Sequence, residues 1–222
     1  MATIHHSTVK PTKLELLTTW LPSRPWYRGG AGKPELTKAG GFRLDDPEGE
    51  VGIEFMVVTD SAGAAPVTYL VPLTYRGAPL GGADHALIGT MEHGVLGRRW
   101  AYDGCHDPVL VGQLIALIEG RAEAQAQSIS DTPDPEVTRS GTGEEMHADL
   151  TAAPAAIDDQ EGTELAVAHG GTLRLHRILQ PAPEDPPQLR QGASGHVAGH
   201  WQMPDGTRAR ALFAVLHAEP RA

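Results

Sequence analysis

The stretch from Asp107 to Gly120 constrains this chain more than any other. Asp107 reads as a helix N-cap and Pro108 as the first helical residue, where a missing N–H costs nothing and φ is already set. Gly120 supplies the stop. Between them Leu110, Leu114 and Leu117 form one stripe, and Val111, Ile115 and Ile118 widen it. A helix this apolar must be deeply packed. The segments before it alternate as strands do. Val51, Ile53, Phe55 and Val57 share one face of a strand over Val51 to Thr59. Val67, Tyr69, Val71, Leu73 and Tyr75 share a face over Val67 to Arg76. Pro72 cannot donate a ladder hydrogen bond, which predicts an edge position or a bulge there.

Other elements follow from local signals. Thr3 to Val9 reads as a short strand. Thr12-Lys13-Leu14-Glu15 is a capping box that opens a helix, with Leu14, Leu17 and Leu21 on one face and Trp20 beside them. Pro22 ends it, and Arg24-Pro25-Trp26-Tyr27 leads into a glycine-rich loop. Short strands are expected at Gly41 to Asp45, Ala86 to Thr90 and Gly97 to Tyr102. In the last third, Gly170-Gly171 and Asp205-Gly206 each stand between alternating segments, the signature of two β-hairpins. A proline-rich loop, Gln180 to Pro187, separates them.

Charge divides the chain. The net charge is −10, and between Arg121 and Glu161 ten acids meet two bases, against 18 acids and 16 bases elsewhere. Residues 126–161 hold no aromatic and few bulky apolar side chains. They are expected to form a mobile acidic linker, or else an ordered loop wrapped over the first part of the chain. The near-neutral remainder argues against nucleic acid as a partner. One cysteine, Cys105, excludes a disulfide framework and points to a reducing compartment. With no signal-peptide pattern and no run of membrane-spanning length, the expected location is cytoplasmic, with no membrane partner.

A family resemblance rests on particular residues. Pro11-Thr12-Lys13-Leu14-Glu15-Leu16-Leu17 through Trp20-Leu21-Pro22-Ser23-Arg24-Pro25-Trp26-Tyr27 resembles the opening of actinobacterial maltokinases. So do Tyr69-Leu70-Val71-Pro72-Leu73-Thr74-Tyr75-Arg76, Ile88-Gly89 and Tyr102-Asp103-Gly104-Cys105-His106-Asp107-Pro108. Together they are similar to the maltokinase N-terminal cap over residues 1–125. The resemblance implies an α+β fold with a cystatin-like cap, a curved antiparallel sheet wrapped around a helix. Caps of this kind also occur alone, under the label of glucan-branching proteins. Residues 162–222 resemble a β-rich remnant of a kinase N-lobe. Leu173 to Leu179 looks like the strand that carries the ATP-orienting lysine, with Arg174 at the matching position.

The same resemblance argues against kinase chemistry. Phosphoryl transfer needs a lysine on the phosphates, a base and metal ligands. Arginine is not an equivalent point donor, only 48 residues follow Arg174, too few for a catalytic lobe, and the sequence contains no asparagine. No catalytic residue, cofactor or metal is therefore expected. The eleven histidines include no His-Glu-x-x-His. His196 and His200 are read as solvent-facing or hydrogen-bonded rather than as ligands. Cys105-His106-Asp107 is a triad only on paper, since such groups converge in space rather than in sequence. Gly29-Gly30-Ala31-Gly32-Lys33 lacks phosphate-loop spacing. Candidate surface contacts are Trp26, Tyr27, Arg98, Arg99 and Trp100, which suit a carbohydrate ligand; alternatively Trp100 is core, Arg98 or Arg99 pairs with Glu54, and Trp26 is packed. The expected function is a non-catalytic interaction or regulatory module of α-glucan, maltose or amino-sugar phosphate metabolism. Its expected partner is a second copy or a separate sugar kinase. The alternatives are a carbohydrate- or metabolite-binding protein and an enzyme.

Overall fold

Thr12 opens the first helix by the reciprocal bonding its sequence predicts. Its hydroxyl accepts the Glu15 N–H at 3.2 Å, and the Glu15 carboxylate accepts the Thr12 N–H at 2.7 Å. Helix α1 (Lys13–Trp20) buries Leu17 and Trp20, and a 3-10 turn at Leu21–Ser23 takes over at Pro22. At helix α2 (Pro108–Glu119) the Asp107 carboxylate accepts the Val109 N–H at 3.0 Å. Gly120 ends that helix at φ 84°, a conformation that strains any side chain. The computed structural model describes residues 9–30, 32–129, 131–141, 155–167, 170–182 and 192–217. His5, His6, Ala31 and most of the strand expected at Thr3 to Val9 lie outside them.

The strands before α2 are β1 (Val9–Lys10), β2 (Leu36–Leu44), β3 (Gly52–Asp60), β4 (Val67–Arg76), β5 (Leu87–His93) and β6 (Gly97–Asp103). After it come β7 (Gln125–Ala126), β8 (Val137–Gly141), β9 (Ala156–Asp158), β10 (Gly162–Ala166), β11 (Thr172–His176), β12 (Ile178–Leu179), β13 (Ala193–Gln202) and β14 (Arg208–His217). They form one antiparallel sheet in the order β1-β5-β6-β4-β3-β2-β13-β14-β11-β10-β9. Mostly antiparallel sheet with two α-helices among the described residues is the coarse architecture. Both expected hairpins form, β10 with β11 around Gly170-Gly171 and β13 with β14 around Asp205-Gly206.

The sheet also closes on itself. After β11 the chain passes Arg177 and returns as β12, which pairs with Thr68 and Tyr69 of β4. The pairings β4-β3-β2-β13-β14-β11, completed by β12, make a circuit. The larger core belongs to this circuit: Phe42, Phe55, Leu70, Leu173, Val197 and Phe213 share it with Leu110, Leu114 and Ile118 of α2. Strand β3 is buried on both faces. Ile53, Phe55 and Val57 enter the α2 core, while Met56 and Val58 enter a second core with α1, Tyr69 and Val71. Both faces of β3 are thus apolar, where the alternation predicted one.

One sequence expectation meets a different structure, and another is met in the middle of a strand. The segment expected as a linker contributes short strands in its described part: the end of β7 pairs with β2, β8 with β13 and β9 with β10. Residues 142–154 lie outside the described residues. The side chains of Thr138, Arg139 and Ser140 in β8 are exposed, so backbone hydrogen bonds hold this strand with Val137 its one apolar side chain packed on the core. Pro72, expected at an edge or bulge, lies mid-strand in β4 but at a local edge, where the outer side is unpaired. The Leu70 N–H donates outward to the Arg177 carbonyl at 2.9 Å, so the imino nitrogen two residues on also faces outward. There β12 has ended at Tyr69 and β6 begins at Leu73. The missing donor falls in the gap between them. Among the described residues no helix is long and apolar enough to cross a membrane.

Candidate functional site

The five predicted surface residues separate into two places. Trp26 is fully buried, its ring centroid 5.7 Å from Trp20 and 5.9 Å from Tyr69. It is core and offers no face to a ligand, which corrects its reading as a surface contact. Tyr27 stacks on Tyr69 at 5.7 Å and donates its phenol hydrogen to Asp60 at 2.8 Å. Burial and that carboxylate hold the phenol above its ordinary range. Arg98 is exposed and donates to Glu92 at 2.9 Å. Arg99 and Trp100 are half-buried, and Trp100 packs beside Ala83, Ala86 and Tyr102. The pairing of Arg98 or Arg99 with Glu54 does not form. Lys13, Tyr75 and Gln127 take up the Glu54 carboxylate instead.

The paper triad is dispersed in space. Cys105 is buried, and burial pushes its thiol up. His106 faces His85, Nδ1 to Nε2 at 3.1 Å. Asp107 caps α2 and receives Arg76 through two bonds of 2.7 Å. Arg174 is bound to Asp159, whose carboxyl these hydrogen bonds hold far below the usual range. His196 is buried, and burial lowers its imidazole.

Sequence reasoning missed Arg177. It lies between β11 and β12 with no exposed surface. Its Nη2 donates to both oxygens of Asp103 at 2.7 Å and approaches the Cys105 sulfur at 3.1 Å. Its Nε donates to Thr163 at 2.7 Å, and the guanidinium sits 5.0 Å from the Trp26 ring centroid. A buried charge needs a partner and hydrogen bonds to offset its desolvation. Here they come from β6 and the turn after it on one side and β10 on the other. The visible signal was one cation flanked by Leu175, Ile178 and Leu179.

A cleft opens where the two halves of the circuit meet. Strands β2 and β13 pair only at Gly40 and Trp201. On β2 the neighbouring edge belongs to β7, and on β13 it belongs to β8. The divergence leaves a cavity of about 440 Å³ lined by Gly40, Gly41, Asp134, His200, Trp201 and Arg208 among others. Gly41 bends at φ +124°, and a Cβ there would lie 2.1 Å from the Phe55 carbonyl oxygen. Glu136 holds the rim, ion-paired with Arg208. Its carbonyl lies 3.1 Å from His200 Nδ1, so that nitrogen carries a hydrogen. Burial raises the Asp134 carboxyl, against the pull of Arg208. Among the described residues no group of three or more His, Cys, Asp or Glu converges as a metal site.

The family model of the maltokinase N-terminal cap domain matches residues 20–107. The chain resembles maltokinase caps over this stretch. No curated protein matches the chain. The cap match runs from the last residue of α1 to the N-cap of α2 and takes in β2 to β6. Asp103, Cys105 and Trp26 belong to the cap stretch, whereas Thr163 and Arg177 lie beyond it. The cleft draws Gly40 and Gly41 from the cap stretch and its titratable groups from outside it.

Proposed function

We propose that this chain is a non-catalytic interaction or regulatory module related to maltokinase caps, acting in α-glucan, maltose or amino-sugar phosphate metabolism in the cytoplasm. The observation that carries the reading is the state of Arg174. At the position resembling the kinase lysine, its guanidinium is bound to Asp159 in the turn before β10 and is not presented to a phosphate. The cap match supports the metabolic link. Helix α2 packed against strands supports a cystatin-like cap, and the hairpins after it fit a kinase-N-lobe-like remnant. Strand β9, last in the sheet among the described residues and with Ile157 exposed, offers an edge on which a second copy or a sugar kinase can pair.

Co-purification from native lysate with mass readout, beside light scattering, tests the reading. A homodimer or an associated sugar kinase is the expected result. ATP-dependent maltose phosphorylation and glucan branching are expected to stay at background. Turnover by the pure protein, or a monomer recovered without any partner, overturns it.

A further inference from the structure

Two histidines face each other where two short turns meet. His85 stands in the 3-10 turn Asp84–Ala86 before β5, and His106 in the turn Gly104–His106 before α2. Buried neighbours pin both turns. Ala86 belongs to a small core with Ala83 and Tyr102, and the Cys105 N–H donates to Asp103 at 3.2 Å. His85 Nε2 lies 3.1 Å from His106 Nδ1. Rings joined by a straight N–H···N bond of that length would have their centres about 5.4 Å apart. Here the centres are 4.7 Å apart and the planes stand at 90°. The ring axes are therefore bent off the line that joins the two nitrogens.

That bend fits two ligands of one metal ion. An ion about 2.0–2.1 Å from each imidazole nitrogen holds the two nitrogens about 2.9 Å apart at a right angle and about 3.4 Å apart at the tetrahedral angle. The ring centres are then about 4.5–5.2 Å apart. Both distances in the structure fall inside these limits. Besides His85, the charged groups acting on His106 are Asp103 and Asp158 against Arg177, and Asp84 adjoins His85. The negative balance favours a cation over an anion. Imidazole suits nickel, copper and zinc, whereas magnesium and calcium take oxygen ligands. His85 is exposed and His106 half-buried, so an ion can reach both. Among the described residues no third His, Cys, Asp or Glu converges there. Water must fill the remaining positions, which makes the site open and exchangeable, unlike a closed structural one. We propose that His85 and His106 form a two-histidine site for a divalent late transition-metal ion. Its occupancy does not depend on docking to a kinase or a second copy.

The experiment is a calorimetric titration of the full chain with nickel(II), with magnesium as the hard-cation control. Electron paramagnetic resonance of the copper(II)-loaded chain then counts the nitrogens on the metal. The expected result is saturable nickel binding with no heat from magnesium, and a copper spectrum split by two imidazole nitrogens. His85→Ala and His106→Ala should each weaken this binding at least about tenfold, since removing even a group that supports a ligand costs that much. The copper spectrum of each should lose the two-nitrogen pattern. His5→Ala with His6→Ala, and separately His196→Ala with His200→Ala, should leave both readouts at this site in place. His85→Asn changes an exposed side chain, so it keeps the test valid if His106→Ala fails to fold. No nickel binding, magnesium bound as tightly as nickel, or unchanged binding in a folded variant of either His85 or His106 overturns the proposal.

Discussion

The molecule handles two buried charges in opposite ways. Glu54 is settled mostly within the cap and the helix before it, with Lys13 and Tyr75 closing on its carboxylate and Gln127 added from the turn after β7. Arg177 is settled across the boundary of the cap stretch, with Asp103 inside it, 74 residues away, and Thr163 outside it, 14 residues away. The first cluster tightens one face of the sheet. The second ties the cap stretch to the hairpins that follow it. A buried ion pair is a poor source of net stability but a severe liability once one member is lost. The difference therefore marks which contact keeps the two parts as one cooperative body.

Mutation of the long-range pair should have the largest effect. Asp103→Ala leaves Arg177 buried and unpaired and should cost about 3–5 kcal/mol in urea unfolding. The double change Asp103→Leu with Arg177→Met should recover much of that loss, because no charge is then stranded. A double variant as unstable as the single one would remove the contrast with Glu54.

The local cluster should respond less, and through pH. Burial alone would raise the Glu54 carboxyl, but Lys13, with Tyr75, outweighs it and holds the group below its ordinary 4.5. A lowered folded value gives stability that is fully present above the unfolded value and fades as pH falls through the folded one. Melting temperature should thus fall below about pH 4.5, and Glu54→Gln should flatten that fall while costing about 1–3 kcal/mol at neutral pH. An unchanged acid profile in the variant would assign the titration elsewhere. The smallest effect belongs to a contact outside both clusters. Thr12→Ala removes the N-cap of α1 and should cost about 1 kcal/mol by urea unfolding.

Legibility in the sequence followed the range of the contact. The capping box, the Pro-first and Gly-last helix and both hairpin turns depend on neighbours a few residues apart, and the structure places all of them as read. Strand β8 was invisible because only Val137 of its side chains packs on the core and the rest are exposed, which leaves no alternation to read. The burial of Trp26 had been weighed against a surface role, and only the packed neighbours Trp20, Tyr69 and Arg177 decide it. The cleft was unreadable for a further reason. Its groups are ordinary residues of an acidic stretch and a hairpin, brought together by a sheet that pairs at one residue and then parts.

The gap at Pro72 has a consequence for fidelity. Two segments far apart in sequence, β6 and β12, compete for one free edge of the same strand. A continuous row of donors would let either slide along it. An interruption without an N–H at the junction gives neither a rung to gain by advancing past it. One imino acid thereby polices the alignment of both neighbours, and with it the meeting of Arg177 and Asp103.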